Sequence, residues 1–231
     1  MKASFGAFMA GLVPRITIDG ITFYWWCGKM CSCNAKRPEC SGKNYDWTPG
    51  RVENTGKFQG MRQHARHVVR DVYSELPVWK CAWRDLGITG KTYENYRHHV
   101  NAECVGKNGV VTDPRHFKAS DGRLSLPPEM TMTTGKGMVW LWWNDPRDKP
   151  AARPDDVLHV LVIRKSVPDA LVFAPLSAST RSDGWATFAI TAKEGDTLYF
   201  YPFFGTADND GFSPNEYFEL LASKEFSNFR F

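Results

Sequence analysis

The spacing of apolar positions changes character near Asp121. Upstream, residues 16–26 alternate over a short strand, turn and strand, with Asp19-Gly20 supplying the tight turn, so a β-hairpin is expected to open the chain. Residues 27–51 hold Cys, Gly, Pro, Lys and Asn without a sustained period and read as an irregular loop. Over residues 55–76, Phe58, Met61, Ala65, Val68, Val69, Val72 and Leu76 recur at helical spacing and define one apolar face. Pro77 is expected to end that helix. A second helix is expected over residues 92–102, with Tyr93, Tyr96 and Val100 on its stripe and Thr92 or Thr89 near its cap. Trp79 and Trp83 fall between the two and are expected to pack against both.

Beyond Asp121-Gly122 the helical period gives way to short alternating runs at regular spacing. The pattern predicts strands over residues 123–126, 138–143, 157–164, 170–173, 185–190, 197–204 and 216–221. Ser182-Asp183-Gly184 and Asn209-Asp210-Gly211 read as hairpin turns, and the Pro-rich residues 145–154 as a longer loop. Seven strands in so short a stretch fit a β-sandwich. The expected layout is therefore an α+β region of hairpin, Cys-rich loop and helices over residues 1–120. An all-β sandwich over 121–222 and an aromatic tail over 223–231 follow.

Charge supports that division. Residues 1–120 carry a net +8 and residues 121–231 a net −4, within a chain of 231 residues and +4 overall. A basic front half suits an acidic partner or nucleic acid, although no run of five like charges is present. The short apolar stretch of residues 5–13 is broken by Gly6 and Gly11 and does not read as an export signal. Met138 to Trp143 is too short to cross a bilayer, so a soluble chain made in the cytoplasm is expected.

The back half resembles a fibronectin type III domain. Val139, Leu141 and Trp143 stand where that family alternates inward residues ending in Trp, ahead of the Pro-containing loop at Asn144-Asp145-Pro146. Gly195-Asp196 then leads into Leu198, Tyr199, Phe200 and Tyr201, with the Gly195 to Tyr199 spacing one residue longer than the family's tyrosine corner. The resemblance implies a fibronectin-III/immunoglobulin-like sandwich and no activity. The whole chain is also similar to an uncharacterised Bacteroidota protein family found in chromosomes and in phage and other mobile elements. The matching pieces are residues 20–26, the Arg- and Gln-bearing 54–70, the Tyr-Asn helix at 93–101 and the sandwich at 138–217, in that order. The Cys-rich loop departs from that family's pattern.

Cys27, Cys31, Cys33 and Cys40 form the densest chemical cluster. Four thiolates can hold zinc, but the spacing is CxxxC and CxC where zinc ribbons use CxxC. Zinc, disulfides and free thiols all remain open, and no cofactor is the favoured reading. Cys81 and Cys104 are expected in a core. His64, His67, Arg62, Arg66 and Arg70 share a helix and read as a solvated basic face, with phosphate contact as the alternative. Asp155-Asp156 and Asp208-x-Asp210 read as turn formers. The chain carries no Gly-x-Ser-x-Gly elbow, phosphate-binding Gly loop or HExxH, so no catalytic residue is assigned and an enzyme is not expected.

Aromatic residues are in excess, with nine Trp, eight Tyr and fifteen Phe. If Val139, Leu141 and Trp143 face the sandwich core, strand alternation turns Met138, Trp140 and Trp142 outward, toward the front domain, a partner chain or a sugar ring. Phe226, Phe229 and Phe231 put three rings in the tail, either packed on their own domain or docked on a neighbour. These six residues are the expected interaction surface. The expectation is a non-enzymatic structural protein assembling with other protein subunits by aromatic burial, as a virion component (capsid or tail) of a phage infecting Bacteroidota. A carbohydrate- or cell-surface-binding module and a nucleic-acid-binding protein using the basic front half are the alternatives.

Overall fold

The computed structural model describes residues 9, 15–19, 21–26, 29–34, 49–71, 76–145, 152–165, 171–173 and 179–226. They divide into two compact units, Met1–Arg51 and Val52–Phe231.

In the first unit, β1 (Arg15–Ile18), β2 (Ile21–Trp26) and β3 (Lys29–Asn34) form an antiparallel meander in the order β1-β2-β3. The expected hairpin is present, with Asp19 in the left-handed region at φ 48°. β3 corrects the expectation of an irregular loop over residues 27–51. Lys-Met-Cys-Ser-Cys-Asn has no β-branched signal, yet it pairs with the free edge of β2 from Ile21↔Asn34 to Trp26↔Lys29. An aromatic strand with a free ladder takes a partner whose own propensity is weak. The registers place Ile16, Ile18, Ile21, Phe23, Trp25 and Met30 on one face, and Arg15, Thr17, Thr22, Tyr24, Cys31 and Cys33 on the other.

The helices that follow are α1 (Pro49–Asp71), α2 (Val78–Asp85) and α3 (Tyr93–Asn101). α1 begins and ends earlier than the expected residues 55–76. Its Gly60 lies against the loop at residues 106–107, where a Cβ would sit 2.1 Å from the Gly106 carbonyl oxygen. α2 was not expected. Pro77 stops α1's pattern but also stands at the N-cap of α2, where a missing N–H costs nothing, and Val78, Trp79, Cys81 and Ala82 are buried. α3 is capped as expected: the Thr92 hydroxyl accepts the Asn95 N–H at 3.2 Å.

Seven strands then build two antiparallel sheets: β4 (Glu129–Gly135), β5 (Met138–Asn144), β6 (Val157–Arg164), β7 (Leu171–Phe173), β8 (Trp185–Ala189), β9 (Thr197–Gly205) and β10 (Phe218–Leu221). Their orders are β4-β5-β8 and β10-β9-β6-β7. Val139, Leu141, Trp143, Ala186 and Phe188 from one sheet share a core with Leu158, Val160, Val162, Leu198, Phe200 and Phe204 from the other. This is a β-sandwich, as the back half's resemblance implies.

Two local expectations need correction. Residues 123–126 are not a strand: Leu124 N–H donates to the Phe212 carbonyl at 3.1 Å, and the first strand is β4 instead. Glu-Met-Thr-Met-Thr-Thr-Gly is too weakly apolar to stand out. It is fixed by a two-residue turn at Lys136 and Gly137, with φ 50° and 75°, that returns it along β5. Residues 182–184 do not make a hairpin, because β7 and β8 belong to different sheets. Arg181–Asp183 form a 3₁₀ turn instead, with Gly184 at φ 73° leading into β8. Tyr199 points away from the sandwich core, where Leu198 points inward, so no tyrosine corner forms at that position.

The helices cover the other face of the four-stranded sheet. Met61, Val78, Trp79, Tyr96, Val105 and Phe117 share a second core with Leu161, Ile163, Tyr199, Tyr201 and Phe203. Polar stitches hold this layer. Tyr201 O–H donates to the Pro114 carbonyl at 2.8 Å, Tyr96 O–H donates to Asp121 Oδ2 at 2.6 Å, and Asn215 Oδ1 accepts the Ala119 N–H at 2.8 Å. Residues on both sides of the expected boundary at 120/121 therefore share one core. Beyond the boundary expected at 222/223, Phe226 is 2% exposed and packs in the sandwich core, its carbonyl accepting the Ala192 N–H at 3.3 Å.

One pole of the sandwich is closed by a buried ion cluster that the sequence reading did not single out. The Arg181 guanidinium donates to Asp156 Oδ2 at 3.1 Å, Asp145 Oδ2 at 2.9 Å and the Ser125 carbonyl at 2.7 Å, and stacks 4.4 Å above the Phe204 ring. Trp143 Nε1–H donates to the Arg181 carbonyl at 2.8 Å. Asp156 is a turn former as expected, accepting the Arg153 N–H at 2.9 Å, and a buried counter-ion as well. Removing one member leaves an uncompensated buried charge. Arg181→Ala should lower the unfolding free energy by about 3–5 kcal/mol in urea denaturation. Arg181→Met combined with Asp145→Asn and Asp156→Asn should cost less than Arg181→Ala alone.

Candidate functional site

The outer face of the three-stranded sheet is where the described structure leaves its most distinctive chemistry open. Along β5 the inward residues are Val139, Leu141 and Trp143, and the outward ones Met138, Trp140, Trp142 and Asn144. The inward set is fully committed to the sandwich core. The outward set is not: Met138 and Trp140 are half-buried and Trp142 is 47% exposed.

Strand pairing extends this row across the sheet. Trp142 stands opposite Thr131 of β4 and Trp185 of β8, and Trp140 opposite Thr133 and Thr187. Directly paired residues share a face, so two ranks result, Thr131-Trp142-Trp185 and Thr133-Trp140-Thr187. The Trp142 and Trp185 rings lie 5.9 Å apart between centroids at an interplanar angle of 30°, and Trp185 is also 47% exposed. Trp185 is the residue that sequence reasoning missed. Its signal was present, because Ala186 and Phe188 are the apolar positions that alternate inward on β8, which turns Trp185 out.

Next to the tryptophan pair the pole of the sandwich opens into a cleft of about 570 Å³, lined by Trp143, Asn144, Asp145, Arg153, Ser182 and Gly184 among others. Asn144 follows Trp142 on the same face of β5, and Gly184 immediately precedes Trp185, so the cleft and the ring pair adjoin. Asp145 Oδ1 has no hydrogen-bond partner among the described residues. The face offers two flat rings, Thr hydroxyls beside them, and amide, hydroxyl and guanidinium groups at one end.

The other expected site residues fall elsewhere. Phe226 belongs to the sandwich core and does not form an exposed arm, while Phe229 and Phe231 lie outside the described residues. Cys31 and Cys33 sit two apart on one face of β3; Cys27 and Cys40 lie outside the described residues. Among the described residues no three His, Cys, Asp or Glu side chains gather as a metal site. Cys81 and Cys104 are buried with the helical layer, and burial pushes both thiols up. Arg62 lies over the Phe58 ring, with its Cζ 5.9 Å from the ring centre; the side chains of His64, Arg66, His67 and Arg70 lie outside the described residues. No helix among the described residues is long and apolar enough to cross a membrane.

No family model matches the chain, and no curated protein matches it. Solved structures with matching parts include the crystal structure of chicken CNTN1 FN1-FN3 domains, at 9% identity and a TM-score of 0.33, covering 46% of this chain and 33% of that one. Another is the twitchin kinase region from C. elegans, at 15% identity and a TM-score of 0.30, covering 42% and 16%. Both are fibronectin type III-containing proteins. The chain spans a third or less of either.

One largely buried titratable group gives a direct check on the packing. His159 stacks on Phe203 at 5.4 Å, and burial lowers its pKa to about 4 from 6.5. Between those values the unfolded chain binds a proton that the folded chain does not, so stability rises with pH across the window. The unfolding free energy should therefore fall as pH drops from 6.5 toward 4. His159→Phe should reduce that slope in denaturant titrations run at each pH.

Proposed function

We propose that this chain is a non-enzymatic interaction protein that engages its partner through the outer face of β4-β5-β8. The observation that carries the reading is the Trp142–Trp185 pair: two large rings, each 47% exposed and 5.9 Å apart, on a sheet whose opposite face packs in the sandwich core. Exposed aromatic patches mark contact surfaces, and Trp is the residue most enriched where binding energy concentrates. The non-enzymatic part comes from the sequence, which holds none of the nucleophile, metal-protease or phosphate-loop patterns.

In the finer reading the chain is a virion component of a phage infecting Bacteroidota. The order of the hairpin, the helices and the sandwich, which resembles that of a family partly carried on mobile elements, supports this. Met138 and Trp140 extend the contact face beside the pair. The assembly expected from the sequence, with the same rings buried against another protein subunit, predicts self-association or co-assembly.

The test is retention on purified phage particles and on Bacteroidota host cells. Wild-type chain is expected to be retained on one of them, and Trp142→Ala/Trp185→Ala to lose retention while its melting temperature stays within about 4 °C of wild type. Equal retention of wild type and double variant, or none for either, contradicts the reading.

A further inference from the structure

Resting on the reading of this face as a contact surface, we infer that its ligand is a carbohydrate. The Trp142 and Trp185 rings stack the faces of pyranose residues, and the adjoining cleft at the pole hydrogen-bonds the hydroxyls of the next sugar.

The size of the open aromatic surface comes first. A large aromatic side chain buries about 150–250 Å² when fully covered, so two rings that are each 47% exposed leave roughly 200 Å² to cover. A stable protein–protein contact buries about 800 Å² on each partner. The pair is therefore small for a subunit interface and comparable to one or two sugar rings. Met138, Trp140 and Ala189 extend the apolar surface on the same face but are half-buried, and the other outward residues are Thr131, Thr133, Thr187 and Asn144, with no Leu, Ile or Val on the outward rows of β4, β5 and β8.

The chemistry comes second. A pyranose has apolar C–H faces and a polar hydroxyl edge, and needs a ring beneath it with donors and acceptors around it. The two rings, tilted by 30° to one another with their centroids 5.9 Å apart, form a two-ring aromatic ledge. Flanking hydroxyls at Thr131 and Thr133 can each donate and accept, while Thr187, whose O–H donates to the Val139 carbonyl at 3.1 Å, can accept. Where the ledge ends, the cleft of about 570 Å³ presents Asn144, Ser182 and Arg153, and its size lies within the range of small-molecule sites. The only charged outward residue on the three strands is Glu129, at the start of β4, so charge at the site comes from the cleft, where Arg153 can donate to a sugar hydroxyl.

The experiment titrates the full chain with cellohexaose, xylohexaose, chitohexaose and maltohexaose, read by calorimetry and Trp fluorescence. At least one of them should bind. Trp142→Ala and Trp185→Ala should each weaken that binding about tenfold or more, and Asn144→Ala by a smaller factor. Trp26→Ala, at an exposed ring in the first unit, should leave it unchanged. No binding by any of the four at millimolar concentration overturns the inference, as does binding indifferent to both Trp142→Ala and Trp185→Ala. If retention on particles or cells still depends on the two rings while the sugars fail, the contact face stands and its ligand is a protein surface. Sedimentation showing a dimer that Trp142→Ala disperses replaces the sugar with a second copy of the chain.

Discussion

The central strand β9 has to be buried on both faces, and the architecture of Val52–Phe231 follows from that constraint. From Leu198 to Gly205 every residue is buried, with Leu198, Phe200 and Phe204 facing one core and Tyr199, Tyr201 and Phe203 the other. β6 is divided in the same way, with Val160 and Val162 toward one core and Leu161 and Ile163 toward the other. A sheet apolar on both faces needs two covers. The three-stranded sheet β4-β5-β8 supplies one, and the helices with the loop at residues 102–122 supply the other. At the sheet's outer surface the Tyr201 O–H donates to the Pro114 carbonyl of that loop, which removes a cost that burial would otherwise impose.

The two covers differ in what they leave open. The helical layer buries Trp79, Tyr96 and Phe117 and leaves Phe58 and Tyr93 exposed. The three-stranded sheet is itself a cover with only one face against the core, so β5 exposes Trp142 wherever it buries Leu141 and Trp143. At the pole, Arg181 and its two aspartates fix the segments on which Trp143, Asn144 and Gly184 sit. An ion-clamped edge beside exposed rings is a sound place for recognition, because fixed groups need little ordering on binding.

Most strands were legible because their residues are β-prone: β5 and β8 fall where alternation puts them, and β6 and β9 where short runs of apolar residues bounded by turns do. β4 escaped notice because Thr and Met carry little contrast, and its place is set by the turn at Lys136-Gly137 and by pairing with β5. β3 is a strand through its partner more than through its own residues. α2 was hidden by Pro77, which reads as a stop and serves equally as a start. The outward turn of Trp140 and Trp142 follows from alternation alone, whereas the Trp185 pairing and the Arg181 cluster depend on which strands neighbour each other, and spacing along one chain does not carry that. Reading 1–120 and 121–222 as separate domains followed the change of period. The cores instead follow β6 and β9, whose second apolar face calls for the helices.

The double cover is tested most directly by expressing residues 121–231 alone and comparing their urea unfolding with that of residues 52–231. Without the helical layer, Leu161, Ile163, Tyr199, Tyr201 and Phe203 lose their cover. The shorter fragment should therefore show no cooperative transition and should bind a hydrophobic dye, while the longer one unfolds in a single step. A cooperative transition in the shorter fragment, at the same midpoint as the longer one, would contradict the account.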